Sequence, residues 1–516
     1  MKHNGIILHL ICIICLGITT FSCTQSSDNQ LPEPKIKAGI ATFSGHIVDY
    51  NPEQKPILKI MVPNPITFEN TDEDIKVKED GSFYIEIPIE TSPALGYLII
   101  DHHSDVHTIY LEPSKETKIE YSLYSSDIEK IKVIAGPNFC TENYSYAGNL
   151  LMKAVDASQG SAEYRFKYIN KDSVNRFIAT PTDYIPYALK YDLGERLKVL
   201  DNDTIISESS RTFLRNQLKL MYLSDFFHFP DVMSMLYNVI NKNDSTAIEI
   251  NEPDKSYYIF LKEFGLNNPL YLYNDSYSRI FQQILKNETL NLPKIGETSI
   301  NSWLENVKAI LSELTGLDKG LFYDILISST YMEQLANKEE PLSDKQKQNI
   351  TDYFKDAELA AIIFRKNDEV VKLTASKVKP VINETPPVSK ELLLESIVSK
   401  YKDNVILVDL WATWCGPCLQ AIKKMRPMKD NLKDKDIIFL YITNPSSPLN
   451  LWQEKINRME GEHYYISEFE WEYITKKFNI DGIPTYLLYD KKGNLQQKFT
   501  GYPGGEKLQK KIEELL

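Results

Sequence analysis

Val405-Ile406-Leu407-Val408-Asp409-Leu410-Trp411-Ala412-Thr413-Trp414-Cys415-Gly416-Pro417-Cys418 runs from six largely apolar residues directly into two cysteines separated by Gly-Pro. The apolar run Val405 to Leu410 reads as a buried strand, and the residues from Gly416 past Lys424 read as a helix. A Cys-x-x-Cys at that junction sets its first sulfur at a helix N-terminus, where unpaired N–H groups and the helix dipole favour thiolate over thiol. Lowering a thiol pKa from ~8.5 to ~7 stabilises the anion by ~2 kcal/mol. Cys415 is therefore the candidate nucleophile. Cys418, one turn inward and less exposed, is placed to resolve a mixed disulfide on Cys415. The competing reading is half of a zinc site, but it needs a second Cys/His pair, and this region offers only His463.

Around this junction, residues 388–516 read in order as a helix, the strand at 405–410, a helix, a strand at 437–443, helices and a strand at 486–489. The turn Lys492-Gly493-Asn494, a strand at 496–500 and a last helix follow. Strands alternating with helices and closed by a hairpin predict a mixed α/β sheet covered on both faces.

The remainder of the 516 residues differs in character. Between 39 and 123 short β-rich runs alternate with turn residues, at 56–62, 82–87, 97–100 and 106–111, which predicts a β-sandwich. Past Gly136-Pro137 helical periodicity takes over, clearest in Trp303, Leu304, Val307, Ile310, Leu311 and Leu314. Ser302 with Glu305 reads as the capping box of that helix and Gly316 as its stop, while Ser343 with Gln346 opens a later one. The segment 380–389, with Pro386-Pro387, cannot continue a helix and reads as a linker. The chain is thus multidomain α+β: a β-sandwich-like domain at 39–135, a helical domain at 136–378, a linker at 379–389 and an α/β domain at 390–516.

Composition narrows the function classes. Hydrophobic residues make up 42% and charged residues 25%, an ordinary globular balance. A net charge of -13 with no basic block interleaved with aromatics excludes nucleic acid as an expected partner. Six cysteines are too few to brace a chain this long, so those that matter are expected to react. Residues 1–22 hold Lys2, an apolar run from Ile6 to Ile18 and then small residues, which reads as a secretory signal rather than a span of ~20 apolar residues.

Several motifs together resemble the thioredoxin superfamily, specifically the TlpA-like periplasmic thiol-disulfide oxidoreductases. They are the Val408 to Cys418 segment quoted above, Gly482-Ile483-Pro484-Thr485 and Asp490-Lys491-Lys492-Gly493, with a helix-bearing insertion at 444–464. The resemblance covers about the last quarter of the chain and implies a thioredoxin-like fold. It implies that Pro484 is a cis-proline facing the dithiol and that the Ile483 backbone pairs with a substrate strand. By the same resemblance Asp409 is a buried carboxylate that relays the proton of Cys418, and Trp411 and Trp414 shield the sulfurs and contact substrate. Thr20-Phe21-Ser22-Cys23 resembles a bacterial lipoprotein processing site, which implies lipidation at Cys23 and a tether at 23–38. The chain departs from many relatives in carrying Ala421 where they have Glu, so Asp409 must do more of the proton handling. The β-rich and helical regions look like the accessory parts of such lipoproteins in some Gram-negative bacteria.

The expectation is a lipid-anchored, periplasm-facing enzyme of the Gram-negative cell envelope that reduces disulfides of protein substrates through Cys415 and Cys418. It needs no metal and no cofactor beyond that dithiol, and draws electrons from a membrane donor. Gly416-Pro417 resembles reducing thioredoxins, at about -270 mV against about -120 mV for strong oxidants. Alternatives are a disulfide oxidase or isomerase, or a ligand-binding or assembly lipoprotein with an ancillary redox domain. Weaker signals are the Asp101-His102-His103-Ser104-Asp105-Val106-His107 segment, read as a polar hairpin rather than a metal site, and Cys140, read as a small buried residue. Tyr271, Tyr273 and Tyr277 read as helix packing.

Overall fold

The computed structural model describes residues 30–516 except 54–55, 101–104, 123–130, 138–146, 148–149, 152, 155–168, 242–249, 356 and 376–379. The signal segment, Cys23, Cys140, His102 and His103 lie outside the described residues. The chain mixes helices and sheets in two compact units, one ending at Val370 and one running from Val371 to Leu516.

In the first unit, strands β1 (Lys35–Val48), β4 (Ser82–Ser92), β7 (Glu116–Ser122) and β8 (Ile131–Ala135) form a sheet of order β4-β1-β7-β8. Strands β2 (Leu58–Pro63), β3 (Asn70–Ile75), β5 (Ala94–Ile100) and β6 (Asp105–Leu111) form another, of order β3-β2-β5-β6. Alternation explains the faces: in β4 Phe83, Ile87 and Ile89 are buried while Tyr84 points to solvent. Those side chains join Phe43 and Ile47 of β1 and Leu58, Ile60 and Val62 of β2 in one apolar core.

Helices fill the rest of this unit between Lys171 and Val370. Tyr271, Tyr273 and Tyr277 are at most 2% exposed, so they are core packing. One capping assignment is corrected. The helix Ile300–Thr315 is capped by Ser299, which accepts from the Ser302 N–H, and the apparent Ser302/Glu305 box lies inside it. Ile300, 2% exposed, needs to be helical to reach the core, so the helix starts one turn earlier. The Ser343/Gln346 box and the Gly316 stop, at φ 71°, are present. The β layers and helices are fastened at Glu90, whose carboxylate accepts from the Ile66 and Thr67 N–H groups at 2.9 and 3.2 Å and faces Arg365 at 3.5 Å.

The second unit is one six-stranded sheet with helices on both faces. Its strands are β9 (Pro380–Asn383), β10 (Val405–Leu410), β11 (Ile437–Thr443), β12 (Gly461–Tyr465), β13 (Thr485–Tyr489) and β14 (Leu495–Thr500), in the order β14-β13-β10-β11-β12-β9. β10 runs parallel to β11 and antiparallel to β13. Apart from Asp409 it is apolar, because both its faces are covered. Val405 and Leu407 pack with Cys418, Met425, Met428, Leu508 and Ile512, whereas Ile406, Val408 and Leu410 pack with Leu393, Ile397 and Ile474. The insertion at 444–464 contributes the helix Leu449–Ile456 and leads into β12. Pro380–Asn383, which the prolines beyond it suggested was linker, is instead the edge strand β9, paired parallel to β12. A strand at an edge needs partners on one side only, which tolerates Pro380 at its start. Among the described residues no helix is long and apolar enough to cross a membrane.

Candidate functional site

The helix Gly416–Lys424 begins where β10 ends, and Cys415 is its N-cap. The cap geometry follows from the sequence, since Pro417 in the first turn has no N–H to satisfy and a preset φ. The Cys418 N–H donates to Cys415 Sγ at 3.2 Å, and the two sulfurs are joined in a disulfide with Cα atoms 5.3 Å apart. Cys418 is fully buried. Cys415 is only 4% exposed, more covered than a nucleophile was expected to be. Ile483 accounts for part of that cover: its carbonyl oxygen lies 3.7 Å from Cys415 Sγ.

Sheet register brings these distant segments together. Leu410 at the end of β10 pairs with Thr485 at the start of β13, so Ile483 and Pro484 lie beside the strand that ends at the dithiol. The Ile483-Pro484 bond is cis. Thr485 Oγ1 donates to the Gly482 carbonyl at 2.7 Å, and the Gly501 N–H donates to the Pro484 carbonyl at 2.8 Å, fixing the loop.

The two tryptophans part company. Trp411 is 0% exposed and belongs to the core beneath the dithiol, while Trp414 is 63% exposed beside it. Only the latter presents its ring to solvent. Trp414 Nε1 donates to Ser446 Oγ at 3.1 Å, Ser446 donates to Asn444 Oδ1 at 2.6 Å, and Asn444 donates to Glu468 at 2.8 Å. The insertion therefore orients the exposed ring through residues that carried no signal in the sequence.

Asp409 lies on the face of β10 that carries the dithiol core, flanked by Tyr441 of β11 and Tyr486 of β13. It is 2% exposed, and neither carboxylate oxygen has a hydrogen-bond partner among the described residues. Burial pushes its carboxyl well above the usual carboxylate range, opposed by the charge of Lys429. Lys429 was not picked out from the sequence. Its Nζ donates to Tyr441 Oη at 3.3 Å and to the Glu460 carbonyl, and burial brings its pKa down to about 8.

His463 is fully buried, its ring stacks on Tyr441 at 4.9 Å, and Nε2 meets the Met459 carbonyl at 2.8 Å, so that nitrogen carries the proton and donates. Burial lowers its pKa to about 4. His107, the described histidine of the 101–107 segment, is buried in β6 with its ring edge-on to Tyr121 at 5.9 Å.

Comparison with known proteins converges on the same region. The thioredoxin-like domain family matches residues 394–516. The thiol-disulfide oxidoreductase ResA of Geobacillus kaustophilus is 24% identical over 121 residues, 23% of this chain and 68% of that protein. Thioredoxin Y1, chloroplastic, of Arabidopsis thaliana is 27% identical over 114 residues, 22% of this chain and 51% of that protein. The chain thus spans about two thirds of the first of these relatives and about half of the second. Among solved structures, the thioredoxin domain of a thiol-disulfide oxidoreductase from Bacteroides vulgatus is 19% identical, covers 22% of this chain and 81% of that one, and has a TM-score of 0.21.

Proposed function

Because its C-terminal domain makes this chain a thiol-disulfide oxidoreductase of the thioredoxin superfamily, we propose that it reduces disulfides in protein substrates through Cys415 and Cys418. The observation that carries this reading is the Cys415 sulfur, set at a helix N-terminus and 3.7 Å from the Ile483 carbonyl. Starting from the dithiol, the Cys415 thiolate attacks one sulfur of the substrate disulfide, forming a mixed disulfide and expelling the other substrate sulfur as a thiolate. Asp409 takes the proton of Cys418, whose thiolate then attacks Cys415. The mixed disulfide breaks, the Cys415–Cys418 disulfide forms, and the second substrate sulfur leaves as a thiolate. Both leaving thiolates take protons from solvent, so the substrate gains two electrons and two protons. Ile483 and Pro484 dock the substrate backbone, and Trp414 covers its flanking side chains.

The reducing direction is supported by Gly416-Pro417 between the cysteines, and regenerating the dithiol requires a thiol or membrane electron donor. The signal-like residues 1–22 and Cys23 support a lipid-anchored, periplasm-facing protein of a Gram-negative envelope. The two four-stranded sheets and the helices that follow them support a β-sandwich at 39–135 and a helical domain at 136–378, accessory to the redox domain.

Reduction of a disulfide-bonded protein by the pre-reduced chain tests the reading. Turnover is expected in the native chain, none with Cys415→Ser, and a trapped mixed disulfide with Cys418→Ala. Equilibration against glutathione gives the direction: a potential near that of DsbA, about -120 mV, would point to an oxidase. A double Cys415/Cys418 replacement that leaves the physiological phenotype intact would favour a ligand-binding or assembly role for the first unit.

A further inference from the structure

Thr485, Leu410, Ile442 and Tyr464 form one row across the sheet of the second unit, on β13, β10, β11 and β12. The last three strands run parallel and β13 runs against them, so the segment before Thr485 and the segments after the other three emerge at a single edge. In order along that edge they carry the Ile483-Pro484 bond, Trp414 with Cys415, then Ser446, then Phe469. The carboxyl ends of parallel strands are where such sheets meet their ligands.

Phe469, 76% exposed, is the most exposed large apolar side chain among the described residues. It stands in the first turn of the helix Glu468–Lys477, whose start is fixed by the reciprocal capping of Ser467 and Glu470. Trp471 and Ile474 of that helix pack into the core, and Phe469 does not. A single exposed apolar residue needs no explanation by itself. Phe469 differs in being tied to the dithiol site. Its chain neighbour Glu468 accepts from Asn444 Nδ2 at 2.8 Å, Asn444 Oδ1 accepts from Ser446 Oγ at 2.6 Å, and Ser446 Oγ accepts from Trp414 Nε1 at 3.1 Å. An indole N–H only donates and a carboxylate only accepts, so every link has one direction. Asn444, 2% exposed, anchors the middle of this chain, which holds the Trp414 ring at a set separation from the helix that bears Phe469.

We propose that Phe469 is a specificity-determining residue, a second aromatic contact, beside Trp414, for the polypeptide that flanks the attacked disulfide of a protein substrate. The proposal rests on the dithiol reaction proposed above and deepens it by naming what that site selects. The surface is continuous with the dithiol site, and its occupant is the extended substrate segment that pairs with the Ile483 backbone and runs on across the edge. Two strand spacings of about 4.8 Å separate β10 from β12, about 10 Å in all, which an extended chain covers in about three residues. An apolar side chain about three residues from the reacting cysteine therefore meets the Phe469 ring, while the residues between lie over Trp414.

The test is single-turnover reduction of symmetrical disulfide-linked peptide dimers by the pre-reduced full chain, with rapid quenching and the released peptide thiol as readout. The peptides are Gly/Ser chains around one cysteine, with one leucine placed one to five residues to either side. In the native chain the saturation constant is expected to fall about fivefold when the leucine stands about three residues from the cysteine on one side. Phe469→Ser should abolish that preference, and Phe469→Tyr should keep it. Leu495→Ala should keep it too, since Leu495 is an exposed apolar residue at the opposite edge of the sheet. Equal saturation constants for every peptide in the native chain, or a preference that survives in Phe469→Ser, overturns the proposal. Reduction of the peptides by Cys415→Ser would show instead that the dithiol reaction itself had failed.

Discussion

The Ile483 carbonyl oxygen stands 3.7 Å from the Cys415 sulfur, although 68 residues separate the two in the chain. The contact closes the site from the side opposite the helix: the sulfur faces helix N–H groups on one hand and a strand-edge carbonyl on the other. Under the proposed function, a substrate strand pairing with the Ile483 backbone would bring its own cysteine to Cys415, and the consequences are open to measurement.

In the reduced protein Cys415 should be the most acidic thiol, because it caps a helix while Cys418 lies one turn inside it. The rate of alkylation against pH measures this. The expected inflection lies about one to two units below the ~8.5 of a free thiol. A faster, more acidic reaction at Cys418 would reverse the assigned order of attack.

Asp409→Asn should slow resolution and stabilise the C-terminal domain. The native acid has a raised pKa, so above the unfolded value the unfolded chain binds fewer protons and stability falls as pH rises toward the folded pKa. Removing the ionisable group is therefore expected to add about 1–3 kcal/mol at neutral pH and little below pH ~4, where the acid is protonated in both states. Denaturant titration at both pH values measures the difference. Equal effects at the two would mean that packing, not ionisation, governs the site.

Trp411→Ala and Trp414→Ala should separate packing from docking. The buried ring is expected to cost about 3–5 kcal/mol of stability. The exposed ring should cost within about 0.5 kcal/mol yet raise the KM for a protein disulfide several-fold. Thermal melts beside steady-state kinetics distinguish them. An unchanged KM in Trp414→Ala would remove that ring from substrate contact.

His463 should make the C-terminal domain sensitive to acid. Its folded pKa, about 4, lies below the ordinary 6.5, so between those values the unfolded state binds more protons and stability falls as pH is lowered. The loss is on the order of 3 kcal/mol across that window. Replacing His463 with Gln should flatten this limb of the stability profile. The limb runs opposite in sign to that of Asp409, so the two replacements are expected to change the profile in opposite directions.

The sequence by itself determined the reactive element: an apolar strand that runs into Cys-Gly-Pro-Cys has one local solution, a strand-to-helix turn with the first sulfur at the cap. That chemistry depends on residues adjacent in the chain, and for the same reason the Ser343/Gln346 box and the Gly316 stop were legible. Tertiary structure decided everything that depends on register. It buried Trp411 and exposed Trp414, three residues apart, and turned Pro380–Asn383 into an edge strand because β12 offered it an unpaired side. It placed Lys429 against the neighbour of Asp409, drew His463 into the core, and hung Trp414 on Ser446. Most of these join residues whose separation along the chain carries no periodic signal, and only the strand order β13-β10-β11-β12-β9, with the loops and helices it carries, brings them together.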